Sequence, residues 1–211
     1  MRNKVVILIL VVLLFCGGLT QAVPITIEIT GNITSVGGYT EAIPDTIHEG
    51  VSFTGTYTYE SSTDGSVGGH HVHDAPYGID LFLGGYEFKT APNHVGQFDM
   101  WITNDGFGAG GMTDYYLVRS YQNVSIPSVG FTISDIRWDL WDSRHIALSS
   151  GALPVTAPIL TDWDYNVLTI GGVYGPNLTG LTIYGTVTQV IPEPLSGILM
   201  AVGVLLLRRR R

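Results

Sequence analysis

The chain is poor in cysteine and in positive charge. Its 211 residues contain one cysteine, Cys16, and ten lysines and arginines, six of which lie in the first four and last four positions. Residues 23–190 therefore have no thiol, which excludes disulfides, cysteine nucleophiles and cysteine metal ligands there. The same segment has four basic side chains against seventeen carboxylates. Such a surface repels phosphate backbones, so the composition argues against nucleic acid as a partner.

Helical periodicity is lacking between the two ends of the chain. Apolar and polar residues instead alternate, as in 51–59, where valine, phenylalanine and tyrosine share one face and serine and threonine share the other. A period of two is typical of strands with one buried face. The same pattern predicts further strands at 25–29, 79–83, 86–89, 98–103, 115–121, 129–134, 136–140, 166–170 and 181–187.

Glycine-rich turns, among them Gly171-Gly172, separate these strands, and 83–86 is predicted to form a two-residue hairpin. About ten strands without helices predict an all-β domain at 23–190, built as a two-sheet antiparallel sandwich or jelly roll. A closed barrel is the alternative architecture.

The last residues, 191–211, combine sequence features in an order that is not typical of a soluble domain. Thirteen apolar or small residues, 195–207, follow the triplet Pro192-Glu193-Pro194 and precede the basic residues Arg208, Arg209, Arg210 and Arg211. This segment is predicted to enter a membrane as a helix with the arginines on the cytoplasmic side. At about 1.5 Å per residue it spans roughly 20 Å, against about 30 Å of hydrocarbon. The shortfall favours transient insertion over a permanent C-terminal anchor, which is the alternative.

The triplet, the apolar segment and the arginine cluster together resemble the PEP-CTERM sorting signal of Gram-negative bacteria. In that family an exosortase, a membrane protease, recognises the three parts and cleaves near the triplet. The resemblance implies transient anchoring in the inner membrane with the domain in the periplasm. It also implies later delivery to the cell surface or the extracellular matrix, in association with exopolysaccharide.

The N-terminal sequence also predicts export. Arg2 and Lys4 precede an apolar run at 5–15, which Gly17 and Gly18 end. This is the three-part pattern of a secretory signal peptide, residues 1–22. We expect signal peptidase to cleave between Ala22 and Val23.

Several stretches of the domain resemble a secreted β-rich domain that is common among PEP-CTERM proteins and has no established molecular function. These stretches are 31–36, 50–59 with Asp64, Tyr77, 84–88 and 148–163. The resemblance implies a β fold and an exported setting, and it implies no activity.

Metal-ligand residue types are densest at 68–74, which reads Gly-Gly-His-His-Val-His-Asp. On an extended backbone His71 and His73 project to one side with Asp74 adjacent, so these three are candidate metal ligands. The alternative is a polar loop around His70 between two strands. No helical His-Glu-x-x-His signature occurs. Residues 104–108 have a composition compatible with a weak extracellular calcium site, without the full EF-hand pattern.

The tryptophans divide between core and surface. Trp138 alternates in phase with Ile136 and Leu140, which predicts a core position, whereas Trp141 faces the other way and is the candidate for stacking on sugars. No Gly-x-Ser-x-Gly motif occurs, and no catalytic residue is predicted.

Three hypotheses follow from these patterns. The first is a non-enzymatic exported protein associated with exopolysaccharide. The second is a carbohydrate- or calcium-binding module, which requires an exposed aromatic platform including Trp141 or a carboxylate loop. The third is a secreted hydrolase, which requires a cleft with convergent, perturbed titratable groups.

Overall fold

The computed structural model describes residues 23–38, 40, 43–66, 68–108, 111–126, 130–174 and 179–192. These residues contain no α-helix, and a short 3-10 turn lies at Leu160–Asp162. The prediction of an all-β domain is therefore confirmed. The strands are β1 Pro24–Gly38, β2 Ser52–Glu60, β3 His70–His73, β4 Gly78–Leu83, β5 Tyr86–Lys89, β6 Phe98–Gly108, β7 Gly111–Ser120, β8 Phe131–Asp142, β9 Tyr165–Tyr174 and β10 Thr179–Pro192.

The two ends of the chain lie outside the described residues. These ends include the predicted signal peptide up to Ala22 and everything from Glu193 to Arg211, with the apolar segment 195–207. Within the part of the chain that the structure describes, no helix has the length and apolarity to cross a membrane.

All ten strands belong to one antiparallel sheet, in the order β3-β6-β7-β8-β9-β10-β1-β2-β4-β5. The predicted division into two sheets is not confirmed, because β10 pairs with both β9 and β1 and the hydrogen bonding runs unbroken between the halves. The sheet is curled instead, so that the inner faces of its halves meet. The ring of Tyr57 on β2 lies 5.9 Å from that of Trp138 on β8.

The core occupies the inside of the curl and follows the alternation of the sequence. Ile27 and Ile29 of β1 and Trp138 of β8 are 0% exposed, which confirms the core position predicted for Trp138. Every strand except β3 contributes alternate side chains to this cluster, whereas the inward side chains of β3 are His71 and His73.

Glycine has two distinct uses in the sheet. Gly84 and Gly85 have φ of 59° and 89° and join β4 to β5, which confirms the predicted two-residue hairpin. The pair Gly171-Gly172 was predicted to be a turn, but it lies inside β9. A Cβ on Gly172 would lie 2.3 Å from the Thr132 carbonyl oxygen, so glycine there permits close approach of β8 rather than a change of direction.

Two other strands differ from the sequence pattern. From Phe131 on, the segments predicted as 129–134 and 136–140 form one strand, β8, whose pairing with β9 shifts register between Ile133 and Asp135. The polar-loop alternative for 70–73 is wrong, because these residues form β3 at the edge of the sheet, opposite Phe98 to Trp101 of β6.

A buried hydroxyl pair links the two halves across the core and supports a double-mutant prediction. The hydroxyls of Tyr57 and Tyr116 lie 2.7 Å apart, and both side chains are almost fully buried. Burial raises the pKa of each phenol well above its ordinary value, so both are neutral donors and acceptors near pH 7.

Replacing either tyrosine by phenylalanine leaves the other hydroxyl unpaired, at a cost of about 1–3 kcal/mol. We expect the double variant to lose less than the sum of the single losses in urea denaturation. Strictly additive losses would contradict a direct pair.

Candidate functional site

A row of three aromatic side chains crosses the outer face of the sheet. Register places Tyr115 of β7 opposite Trp141 of β8, and Trp141 opposite Tyr165 of β9. Trp141 is 46% exposed and Tyr165 38% exposed, and their ring centroids are 4.6 Å apart. Because neighbouring strands lie about 4.8 Å apart, the row spans about 10 Å. The outward position predicted for Trp141 is confirmed.

A fourth ring lies beside this row, where β6 meets β3. Trp101 is 36% exposed and stacks on His70, with ring centroids 4.4 Å apart. Its indole N–H donates to Asp99 Oδ2 at 3.2 Å, and His70 Nε2 lies 2.8 Å from the same oxygen. The nearly buried carboxylate of Asp99 therefore fixes the orientation of the exposed indole. We call Trp101, Tyr115, Trp141 and Tyr165 the outer aromatic face.

Charged groups are fixed next to these rings. The Tyr115 hydroxyl donates to Asp139 Oδ1 at 2.8 Å, and Arg137 Nε lies 3.1 Å from Asp139 Oδ2. Burial, followed by the nearby Asp139 carboxylate, raises the pKa of Tyr115. Burial also raises the pKa of Asp139, although the Tyr115 hydroxyl and Arg137 oppose this shift. The neutral phenol is therefore held as a hydrogen-bond donor.

A second ion pair extends the polar part of this surface. Arg119 Nε donates to Asp135 Oδ1 at 2.7 Å, and the guanidinium lies 4.2 Å from the ring centroid of Tyr121. Arg119 and Arg137 are two of the four basic residues in 23–190. A predominantly acidic domain thus places half of its cations beside its exposed aromatic rings.

The geometry suits a polyhydroxylated ligand. Flat apolar rings pack against the C–H faces of sugars, while fixed carboxylates and guanidinium groups pair with hydroxyl groups at the ring edges. Binding sites in proteins combine these features, an apolar lining with a few convergent polar groups. Three rings in register along about 10 Å match an extended chain better than a compact small molecule.

The histidine segment has a different role in the structure. His71 and His73 project to the same side, as predicted, and both are buried. The ring nitrogens of His71 lie 3.0 Å from the Thr63 carbonyl oxygen and 3.1 Å from that of Gly151. Asp74 is exposed, and its carboxylate accepts from Gly96 N at 2.7 Å. Among the described residues, His71, His73 and Asp74 do not form a convergent ligand set. The histidines instead tie two loops to the edge strand β3.

Burial of His73 predicts an acid-sensitive fold. Burial first, and then the neighbouring His71, lowers the pKa of His73 from 6.5 to about 4. The folded state therefore holds a neutral imidazole, whereas the unfolded chain takes up a proton as the pH falls below about 6.5. We expect the free energy of unfolding to fall by up to about 3 kcal/mol between pH 6.5 and pH 4.

The matched variant is His73→Phe, which keeps an aromatic ring next to Tyr59, Tyr77 and Phe98. Urea denaturation at pH 7 and pH 4.5 should show a smaller pH dependence for this variant than for the wild type. Equal pH dependence in the two proteins would contradict the assignment.

A convergent set of possible metal ligands occurs elsewhere, at Asp105, Asp114 and His145. One ligand atom of each lies within 4.8 Å of the others, and Asp105 Oδ1 is 3.0 Å from His145 Nδ1. Asp114 is fully buried and accepts from Asp105 N at 3.0 Å and Leu148 N at 2.8 Å. Asp105 belongs to the predicted calcium segment 104–108. The two carboxylates and one imidazole supply fewer oxygens than the six to eight that calcium takes.

Sequence reasoning missed this cluster because its members are far apart in the chain. Asp114 meets Asp105 only through the pairing of β6 with β7, next to an irregular register between Thr103 and Gly106. His145 arrives from the loop after β8. No local spacing signals such a convergence. The Asp114 carboxylate, which accepts from Leu148 N, and the contact of Asp105 with His145 hold the loop after β8 against β6 and β7.

Comparison with known proteins adds no relative. The chain matches no protein-family model, no curated protein and no solved structure.

Proposed function

We propose that the protein is a non-enzymatic, exported polysaccharide-binding protein that acts in the cell envelope or extracellular matrix. The observation that carries the proposal is the exposed ring of Trp141, which contacts the ring of Tyr165 at 4.6 Å between centroids and is in register with Tyr115. In this proposal the curled sheet serves as a sandwich-like scaffold. Its inner faces form the core, and one outer face holds the ligand.

The arrangement of the rings supports binding more than their exposure does. Single exposed aromatics are common on proteins, whereas a contiguous patch bordered by polar groups is typical of an interaction site. Hydrogen bonds restrain the polar ends of Tyr115 and Trp101, so little conformational entropy is lost when a ligand orders them.

Affinity electrophoresis tests the proposal most simply. The full-length chain, purified in detergent, is run through gels containing neutral, amino-sugar or uronate-rich polysaccharides. We expect at least one polymer to retard the protein relative to a reference protein of similar charge. Unchanged mobility in every gel would contradict polysaccharide binding.

Export and sorting complete the proposal. β10 ends at the exposed Pro192, so the Pro192-Glu193-Pro194 triplet begins where the sheet ends. A protease can reach such a position without unfolding the domain. We propose that signal peptidase removes residues 1–22 and that an exosortase processes the tail.

Replacing the triplet by three alanines is expected to block this processing. The uncleaved apolar tail would then keep the protein in the membrane fraction at its signal-cleaved length. Immunoblots of membrane and extracellular fractions from the native host measure the outcome, with Asp45→Ala as the control at an exposed site in the domain. Unchanged release of the triple-alanine variant would contradict the sorting hypothesis.

Calcium is the second candidate ligand, favoured by the convergence of Asp105, Asp114 and His145. Isothermal titration with Ca²⁺ tests it. An Asp105→Asn variant should bind more weakly if this cluster holds the ion, and equal binding would place the ion elsewhere.

A further inference from the structure

A groove of about 300 Å³ lies on the opposite half of the sheet, over the outer face of β2, β4 and β5. Its floor is a cross-strand row in which Thr56 of β2 faces Asp80 of β4, and Asp80 faces Lys89 of β5. Two loops wall the groove, one with Pro76 and Tyr77 and the other with Pro92 and His94. Its volume is at the lower end of the range for ligand sites and suits one small molecule.

The groove contains polar groups that the protein leaves unpaired. The Asp80 carboxyl has Glu87 as a hydrogen-bond partner and Lys89 nearby, whereas the hydroxyls of Thr56 and Tyr77 have no hydrogen bond to any described residue. Burial, followed by the nearby Glu87 carboxylate, raises the pKa of Asp80. Lys89 makes an ion pair with Glu87, which leaves further ammonium hydrogens for a ligand. The groove therefore offers an acceptor and several donors within one small space.

His94, deeper in the groove, also has a polar atom without a hydrogen-bond partner among the described residues. His94 is 1% exposed, and its Nε2 lies 2.6 Å from the Tyr77 carbonyl oxygen, so Nε2 is a donor. Its Nδ1 is the atom that has no such partner in the described part of the chain. A buried polar atom without a partner is costly, and a hydroxyl group can serve it as donor or acceptor.

We infer that this groove is a binding site for a single sugar residue, separate from the outer aromatic face. The Tyr77 side chain and the two prolines supply apolar walls for the sugar ring. Asp80 accepts from sugar hydroxyls, while Thr56, Tyr77 and Lys89 donate to them. The inference goes beyond the proposed function, because the groove lies at the other end of the strand order and takes a monosaccharide rather than an extended chain.

Ligand-observed NMR titration of the full-length chain in detergent tests the inference, with glucose, galactose, N-acetylglucosamine and glucuronic acid as probes. We expect saturable binding of at least one of them, with Kd on the order of 1 mM. The isosteric variant Asp80→Asn should weaken this binding by at least about tenfold, and Thr56→Val should weaken it as well. Asp45→Asn, which removes an exposed carboxylate outside the groove, is the control and should leave monosaccharide binding unchanged. Trp141→Ala is measured beside it, because a loss confined to this variant would place the monosaccharide on the outer aromatic face.

Three results would overturn the inference. The first is that none of the probes shows saturable binding. The second is that Asp80→Asn and Thr56→Val leave the binding unchanged. The third is that binding is lost only in Trp141→Ala. Polysaccharide binding that depends on Trp141 would persist in the first two cases, so failure of the groove and failure of the aromatic face are distinguishable. Circular dichroism of each variant checks that the fold is retained, and either of the two groove variants suffices for the test.

Discussion

Replacing Asp142 by alanine is expected to lower the free energy of unfolding by about 2–3 kcal/mol. Asp142 ends β8 and is fully buried. Its carboxylate accepts from the backbone N–H groups of Arg144, Ile146 and Ala147 and from Arg144 Nε. The substitution removes all four bonds, and each donor then has to find another partner or stay buried without one. Chemical denaturation at pH 7 measures the loss.

Asp164→Ala is the matched control, because Asp164 contacts the same Arg144, at 3.2 Å, and accepts from Ser143 N and Oγ, but is 42% exposed. We expect it to cost about 1 kcal/mol, as partly exposed ion pairs do. Similar losses of unfolding free energy for the two variants would show that the burial of Asp142 is not the reason for its contribution to stability.

The same residue contributes to acid sensitivity. Burial alone would raise the pKa of Asp142, but hydrogen bonds from the Ile146 backbone and from Arg144 outweigh it and lower the pKa from 3.8 to about 2. A lowered pKa in the folded state stabilises the fold above pH 4, and this contribution disappears as the pH falls to about 2. The Asp142→Ala variant should lack this part of the acid transition.

Replacing Trp141 by alanine is expected to weaken polysaccharide binding by about thirtyfold, or roughly 2 kcal/mol, the scale of a central aromatic in an interface. Trp141 is the middle ring of the row, so its loss leaves Tyr115 and Tyr165 too far apart to form one continuous surface. Because the rings of Trp141 and Tyr165 contact each other, the double variant should lose less than the sum of the two single losses. Isothermal titration with a polysaccharide that retards the wild type provides the measurement.

Phe82→Ala controls for loss of an exposed aromatic side chain. Phe82 is 56% exposed on β4, in the other half of the sheet. Its replacement should leave polysaccharide binding unchanged. Equal weakening by Phe82→Ala and Trp141→Ala would indicate non-specific adsorption to apolar surface.

Much of the fold was predictable because period-two alternation reports directly which face of a strand is buried. It correctly assigned Trp138 to the core and Trp141 to the surface. It missed β3 because the inward positions of that strand are His71 and His73, which a hydrophobic pattern counts as polar. It did not predict the single sheet, because alternation within a strand carries no information about which strands pair.

The sequence predicted a candidate site residue only where the position of that residue along its own strand was enough to identify it. Trp141 is identified by its own phase along β8, whereas the contributions of Tyr115 and Tyr165 depend on the register of β7 and β9. The groove under Tyr77 and the Asp105–Asp114–His145 cluster depend on loops that come together only in the fold. Sequence spacing does not contain those distances.

Hydroxyl-radical footprinting of the full-length chain, with and without a retarding polysaccharide, tests the central claim most directly. Mass spectrometry then reports the oxidation of individual side chains. We predict that the polysaccharide protects Trp141, Tyr165 and Trp101 and leaves the oxidation of Phe82 unchanged. Protection of Phe82 with unchanged oxidation of Trp141 and Tyr165 would contradict the claim that the outer aromatic face is the binding surface.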